Sequence, residues 1–152
     1  MNTFLETLYK DVILEHYRRP HHRGRLEDAS HTQEGVNPSC GDELTLYLRV
    51  EDGVIRDVAF EGEGCAISQA SASLMTDALE GVSVERARTL SGAFKAMIQG
   101  EPPTEDLGDL ALLQGISKLH ARVKCASLAW NTLDTALGDH APDGSVPDEP
   151  AD

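Results

Sequence analysis

Residues 43–61 constrain the fold more than any other stretch. Leu44, Leu46, Leu48 and Val50 alternate with Glu43, Thr45, Tyr47 and Arg49, the two-residue period of a strand with one buried face. Glu51-Asp52-Gly53 supplies turn chemistry, and Asp-Gly is a preferred pair for a tight reversal. Beyond it Val54, Val58 and Phe60 share one side of a second run that ends near Glu61. This pattern predicts an antiparallel hairpin. A lone hairpin is marginal in water, so the remaining chain must cover its apolar face.

The flanking segments supply helices for that purpose. From Phe4 to about Arg19, Leu5, Leu8, Tyr9, Val12, Ile13 and His16 recur at three- and four-residue spacing, with Thr3 and Glu6 as a capping box. Pro20 ends this helix because it lacks an N–H and restricts the residue before it. His21–Gln33 is polar and reads as a surface loop, and Gly35-Val36 as a short strand. After the hairpin, Ile67, Ala70, Ser71, Leu74, Met75 and Ala78 mark a helix ended by Gly81. Ser83 caps a further helix to about Gln99, with Ala87, Leu90, Phe94 and Met97 inward. Leu107, Leu110, Leu113 and Ile116 give Asp106–His120 helical spacing, weakened by Gly108 and Gly115. The last helix spans about Arg122 to Leu137, with Val123, Ala126, Trp130, Leu133 and Leu137 on its buried face.

A helix, then strands, then helices predict an α+β domain: a small three-stranded antiparallel sheet with helices packed on one face. Its expected bounds are residues 1–138. Residues 139–152 hold five acids, no Lys or Arg and almost no apolar side chains, the composition of a disordered acidic tail.

Charge and apolar content narrow the function classes. A net charge of −13 argues against nucleic acid, whose backbone is bound through Lys and Arg. No apolar run approaches the ~18 residues of a membrane span. The N-terminus lacks the basic-then-apolar layout of a secretory signal, so a cytoplasmic protein is expected. Lys10, Arg18, Arg19, Arg23 and Arg25 cluster near the N-terminus, as a solvated face or as a surface for an acidic partner.

The three cysteines each fall at a special place. Cys40 lies in a turn with Pro38, Gly41 and Asp42; Cys65 lies where the second strand gives way to a helix; Cys125 lies in the first turn of the last helix. In a reducing compartment such thiols serve metal binding, catalysis or burial. Cys40, Cys65, Cys125 and Asp42 would give a tetrahedral set for Zn²⁺, which accepts S and O donors. Their wide spacing is not that of a zinc finger, and by spacing alone the motif is weak.

The residues around the cysteines say more. Asn37-Pro38-Ser39-Cys40-Gly41-Asp42, the run from Phe60 to Ser73, and Arg122-Val123-Lys124-Cys125-Ala126-Ser127-Leu128-Ala129-Trp130 together resemble the IscU/SufU family of iron–sulfur cluster assembly proteins. Leu8 to Tyr17, with Arg19-Pro20, is similar to that family's first helix. The likeness covers about residues 3–138 and is closer to SufU. IscU-type scaffolds carry a His directly before the third cysteine, where this chain has Lys124, and a Leu-Pro-Pro-Val-Lys stretch where it has Leu119-His120-Ala121-Arg122. The segment from about Gly100 to His120 is similar to a SufU insertion.

The resemblance implies an IscU-like fold and a zinc-bound sulfurtransferase. Cys40, Asp42, Cys65 and Cys125 become the zinc ligands, Cys40 the persulfide acceptor, and Arg122 a residue at the interface with a SufS-type cysteine desulfurase. Downstream Suf assembly proteins are the expected recipients of the sulfur. The alternative is a scaffold building a [2Fe–2S] cluster on the same ligands. A purely structural zinc module and a Cys–His hydrolase drawing on His16, His21, His22, His31, His120 or His140 are further readings. The first is unneeded in a domain with its own core, and no motif accompanies any of these histidines.

Overall fold

The computed structural model describes residues 3–37, 41–102 and 107–138, with side chains for all of these except 3–10, 120 and 121. Three strands run β1 (His31–Asn37), β2 (Asp42–Glu51) and β3 (Val54–Glu63), in that spatial order and all antiparallel. The helices are α1 (Thr3–Arg18), α2 (Ala66–Leu79), α3 (Val84–Met97) and α4 (His120–Ala136), with a run of 3₁₀ turns at Gly108–Lys118 before α4. The expected α+β architecture is present, and no described helix is long and apolar enough to cross a membrane.

The hairpin forms as its alternation requires. Asp52 and Gly53 both take positive φ, 53° and 76°, the left-handed pair that matches the twist of the flanking strands. Leu44, Leu46, Leu48, Val58 and Phe60 turn into the core. Tyr47 and Ala59, an opposed pair on β2 and β3, are also buried.

Two polar segments do more than their composition suggests. The strand expected at Gly35-Val36 extends back to His31, because alternate residues of His31–Val36 are half-covered where α4 packs on β1. Gly35 permits that approach: a Cβ there would overlap Thr132 Oγ1 and lie 3.2 Å from Thr132 Cβ. Within the expected loop, His22–Gly24 is tied to the outer edge of β3, and Ser30 to β2 through its N–H donating to Leu48 C=O at 2.8 Å. Phe60 N–H donates to His22 C=O at 3.0 Å, and Gly24 N–H donates to Phe60 C=O at 2.8 Å. An otherwise open strand edge is thereby partly closed. Two of the five N-terminal bases bind to β3 within the fold: Arg25 Nε donates to Glu61 at 2.9 Å and Arg23 to the Gly62 carbonyl at 3.0 Å.

α2 is the central element. Every residue from Ser68 to Thr76 is buried, which its small and hydroxylated side chains make possible, since neighbours approach it closely from several sides. On the α4 side, Ser71 Oγ donates to Ala126 C=O at 2.7 Å and accepts from Trp130 Nε1 at 3.2 Å. Trp130, fully buried, stacks on Phe94 of α3 at 4.8 Å between ring centres. Ser83 caps α3 as expected, its side chain accepting the Arg86 N–H.

Two helical expectations are corrected. Asp106–His120 is not an α-helix: the described part is 3₁₀ from Gly108 to Lys118. Leu107, Leu110, Leu113 and Ile116, all buried, recur every three residues, and three residues per turn is the 3₁₀ period. α4 begins at His120, so Cys125 stands in its second turn rather than its first.

Candidate metal centre

The end of β1, the start of β2, the start of α2 and the second turn of α4 meet at one point. Asp42 is the first residue of β2 and pairs with Asn37 across the sheet. Gly41 closes the connection before it, with φ 73° and its N–H donating to Asn37 C=O at 2.9 Å. Cys65 is the N-cap of α2, its sulfur accepting the Ser68 N–H at 3.4 Å. A cap residue answers backbone donors that have no partner inside the helix. Cys125 is wholly buried on α4.

These elements bring a carboxylate oxygen of Asp42 and the sulfurs of Cys65 and Cys125 within 4.8 Å of one another. Cys40 lies outside the described residues. Asp42 is 1% exposed. Its Oδ1 accepts the Cys65 N–H at 3.0 Å, while its Oδ2 is buried with no hydrogen-bond partner among the described residues. An orphaned carboxylate oxygen in the interior carries a large desolvation cost unless a cation answers it.

The donor set fits a borderline-soft divalent ion. Two thiol sulfurs and one carboxylate oxygen suit Zn²⁺ or an iron centre, whereas Mg²⁺ and Ca²⁺ take oxygen alone. Gly64 helps to make room for it. A Cβ at Gly64 would meet Asp42 Oδ1 at 2.7 Å and overlap Ser68 Oγ.

Arg122 stands one turn before Cys125 and is exposed. Its guanidinium is held above its ordinary pKa, first by a hydrogen bond to Cys125 and then by the nearby charge of Cys65. The structure therefore joins Arg122 to the same point as the sulfurs. Lys124 faces solvent, and an ammonium has no lone pair to offer a metal.

Gly64, Ser68 and Asn37 support this point; the sequence motifs contain all three but assign none of them a role. Of these, Gly64 was the most findable, as the middle of the Glu63-Gly64-Cys65 junction. The sequence places His21 and His22 in a polar surface loop, and His21 is exposed there. Both also contact α2: His21 Nδ1 meets Asp77 Oδ2 at 2.6 Å, and His22 lies 3.0 Å from Thr76 Oγ1 and 3.3 Å from Glu80. His16 is buried on α1 as expected, and burial chiefly, with His21 adding, pushes its pKa below the ordinary imidazole value.

Residues 8–140 match the model of the NifU-like N-terminal domain. The zinc-dependent sulfurtransferase SufU of Bacillus subtilis is 45% identical over 138 residues, 90% of this chain and 93% of that protein. The iron–sulfur cluster assembly scaffold protein IscU of Thermotoga maritima is 48% identical over 131 residues, 86% of this chain and 92% of that one. A crystal structure from Fervidobacterium islandicum, of an iron–sulfur cluster assembly scaffold protein proposed for the SUF system, superposes with a TM-score of 0.81 at 36% identity. It covers 86% of this chain and 97% of that one.

Proposed function

The chain belongs to the NifU-like N-terminal domain family, with the SufU and IscU proteins, and we propose that it is the zinc-bound sulfur acceptor of an iron–sulfur assembly system. In this reading Cys40, Asp42, Cys65 and Cys125 hold the ion, Cys40 takes sulfur from a SufS-type cysteine desulfurase, and downstream Suf assembly proteins receive it. The observation that carries the reading is the buried Asp42 Oδ2, without a hydrogen-bond partner among the described residues, beside two converging thiols. Zinc, when bound, keeps its thiolates deprotonated while masking them from unwanted electrophiles.

The chain's own residues divide the work. Cys65 and Cys125 are built into α2 and α4, which suits fixed ligands. Cys40 precedes Asp42 by two residues in the sequence, and in this reading it is the ligand that leaves. The Cys40 thiolate attacks the outer sulfur of the desulfurase persulfide. The donor S–S bond breaks, a new S–S bond forms on Cys40, and the donor cysteine leaves as a thiolate, with no net oxidation. Arg122, exposed beside both sulfurs, supplies positive charge where an anionic persulfide approaches.

The test is transfer from a SufS-type desulfurase charged with labelled cysteine. The wild-type chain accepts one sulfane sulfur and Cys40→Ala accepts none; equal uptake by the variant would refute the assignment of Cys40. The IscU name carried by the Thermotoga maritima relative favours a second reading, a cluster built on the same ligands. Anaerobic reconstitution with iron and sulfide separates the two. A stoichiometric chromophore that passes to an apo-acceptor would establish the scaffold.

A further inference from the structure

A second convergence of metal-ligating side chains lies on the opposite half of α2. His16 sits in the last turn of α1, 7% exposed. His21 follows Pro20, and Asp77 lies near the end of α2. One ring nitrogen from each histidine and one carboxylate oxygen lie within 4.8 Å of one another. The two imidazoles are 4.4 Å apart between centres, tilted at 47°. His22, with φ 59°, carries the chain through a left-handed turn that brings it too against α2. Its Nδ1 is 3.4 Å from Asp77 Oδ1, and its Nε2 is 3.3 Å from Glu80.

We propose that His16, His21 and Asp77 form a second, exchangeable site for a divalent first-row transition ion such as Zn²⁺ or Fe²⁺. Two imidazoles and a carboxylate are a recurrent donor set for these ions, whereas Mg²⁺ and Ca²⁺ favour oxygen alone. The buried Ser73 hydroxyl supports the arrangement. It meets His16 Nδ1 at 2.7 Å and accepts the His21 N–H at 2.8 Å. That contact holds the His16 ring in place, the role outer hydrogen bonds play around metal-bound histidines.

His21 and Asp77 now stand 2.6 Å apart across a hydrogen bond. An ion in place of that proton would set its two ligand atoms about 3.3 Å apart, from bonds of about 2.0–2.1 Å at a tetrahedral angle. Their side chains, 45% and 39% exposed, have room to open by that amount. The open side leaves positions for water, with His22 and Glu80 adjacent, so the ion exchanges freely. Cys65 and Asp77 are twelve residues apart on one helix, about 18 Å at 1.5 Å per residue, which makes the two centres separate.

The experiment titrates the untagged full chain with Zn²⁺ against a chromophoric chelator. The wild type takes up a tight equivalent and a weaker second one. His21→Ala and Asp77→Asn each weaken the second about tenfold or more and leave the first unchanged. Cys125→Ser does the reverse. Asp77→Asn preserves side-chain shape, and its unchanged first equivalent shows that the variant remains folded. A single equivalent in the wild type, a second equivalent that persists in both variants, or loss of both in Cys125→Ser would overturn the proposal.

Discussion

Asp42 Oδ1 accepts the backbone N–H of Cys65 at 3.0 Å, so one carboxylate fastens the first residue of β2 to the N-cap of α2 while its other oxygen has no partner among the described residues. Asp42→Asn therefore has opposite consequences with and without an ion. The amide still accepts the Cys65 N–H but removes a buried charge. In metal-free protein the melting temperature holds or rises. Zn²⁺ affinity falls about tenfold or more, as read by chelator competition.

Gly64→Ala attacks the same joint sterically. The added methyl meets Asp42 Oδ1 at 2.7 Å and overlaps Ser68 Oγ. Overpacking of this kind costs about 1–3 kcal/mol. Urea denaturation should show that loss, and metal titration should show weaker uptake. Undiminished binding with unchanged stability would mean the junction yields without moving Asp42.

Gly35→Ala tests the contact between β1 and α4. Its Cβ overlaps Thr132 Oγ1, whose hydroxyl donates to Leu128 C=O at 2.8 Å. The single variant should lose about 1–3 kcal/mol. Combined with Thr132→Ala it should lose less than the sum of the two singles, because the clashing oxygen is gone. Simple additivity in a double-mutant cycle would show that the two positions do not share a contact.

Tyr47 and Glu61 couple stability to acid. The Tyr47 hydroxyl donates to Glu61 Oε2. This hydrogen bond above all, with Arg25 adding, holds the Glu61 carboxyl below its ordinary value of 4.5. A depressed carboxylate contributes stability that is present above the unfolded pKa and lost as pH falls through the folded one. Tyr47→Phe should be less stable than wild type at neutral pH. The gap between their urea midpoints should narrow as pH drops below about 4.5. A gap independent of pH would place the effect in packing instead.

Legibility followed periodicity and failed where the third dimension intervened. The hairpin, Ser83 as a cap, and Cys65 at a helix start were readable because each depends on neighbours in sequence. The strand at His31–Gln33 was not, because its residues are polar and only the approach of α4 along Gly35 and Thr132 half-covers them. The three-residue recurrence of Leu107 to Ile116 was visible, but it is close enough to helical spacing to be taken for an α-helix. Asp42, Cys65 and Cys125 were picked out by residue type and context. Their convergence, and the orphaned oxygen that gives it meaning, exists only once β2, α2 and α4 are assembled. The histidine group escaped notice because His16 and His21 are separated by a helix end, and Asp77 looks like an ordinary exposed acid.

The 3₁₀ run from Gly108 to Lys118 feeds α4 through Leu119, whose φ of −116° and ψ of 77° are not helical and whose side chain makes no cap. Hydrogen bonds in 3₁₀ turns are poorer than those of an α-helix, and regions of low local stability open ahead of the whole. Amide protons here should exchange with deuterium sooner than those of α2. Arg122 and Cys125 then sit just downstream of a weakly hydrogen-bonded stretch, where a docking protein could pry the wall of the centre outward while the sheet and α2 stay shut.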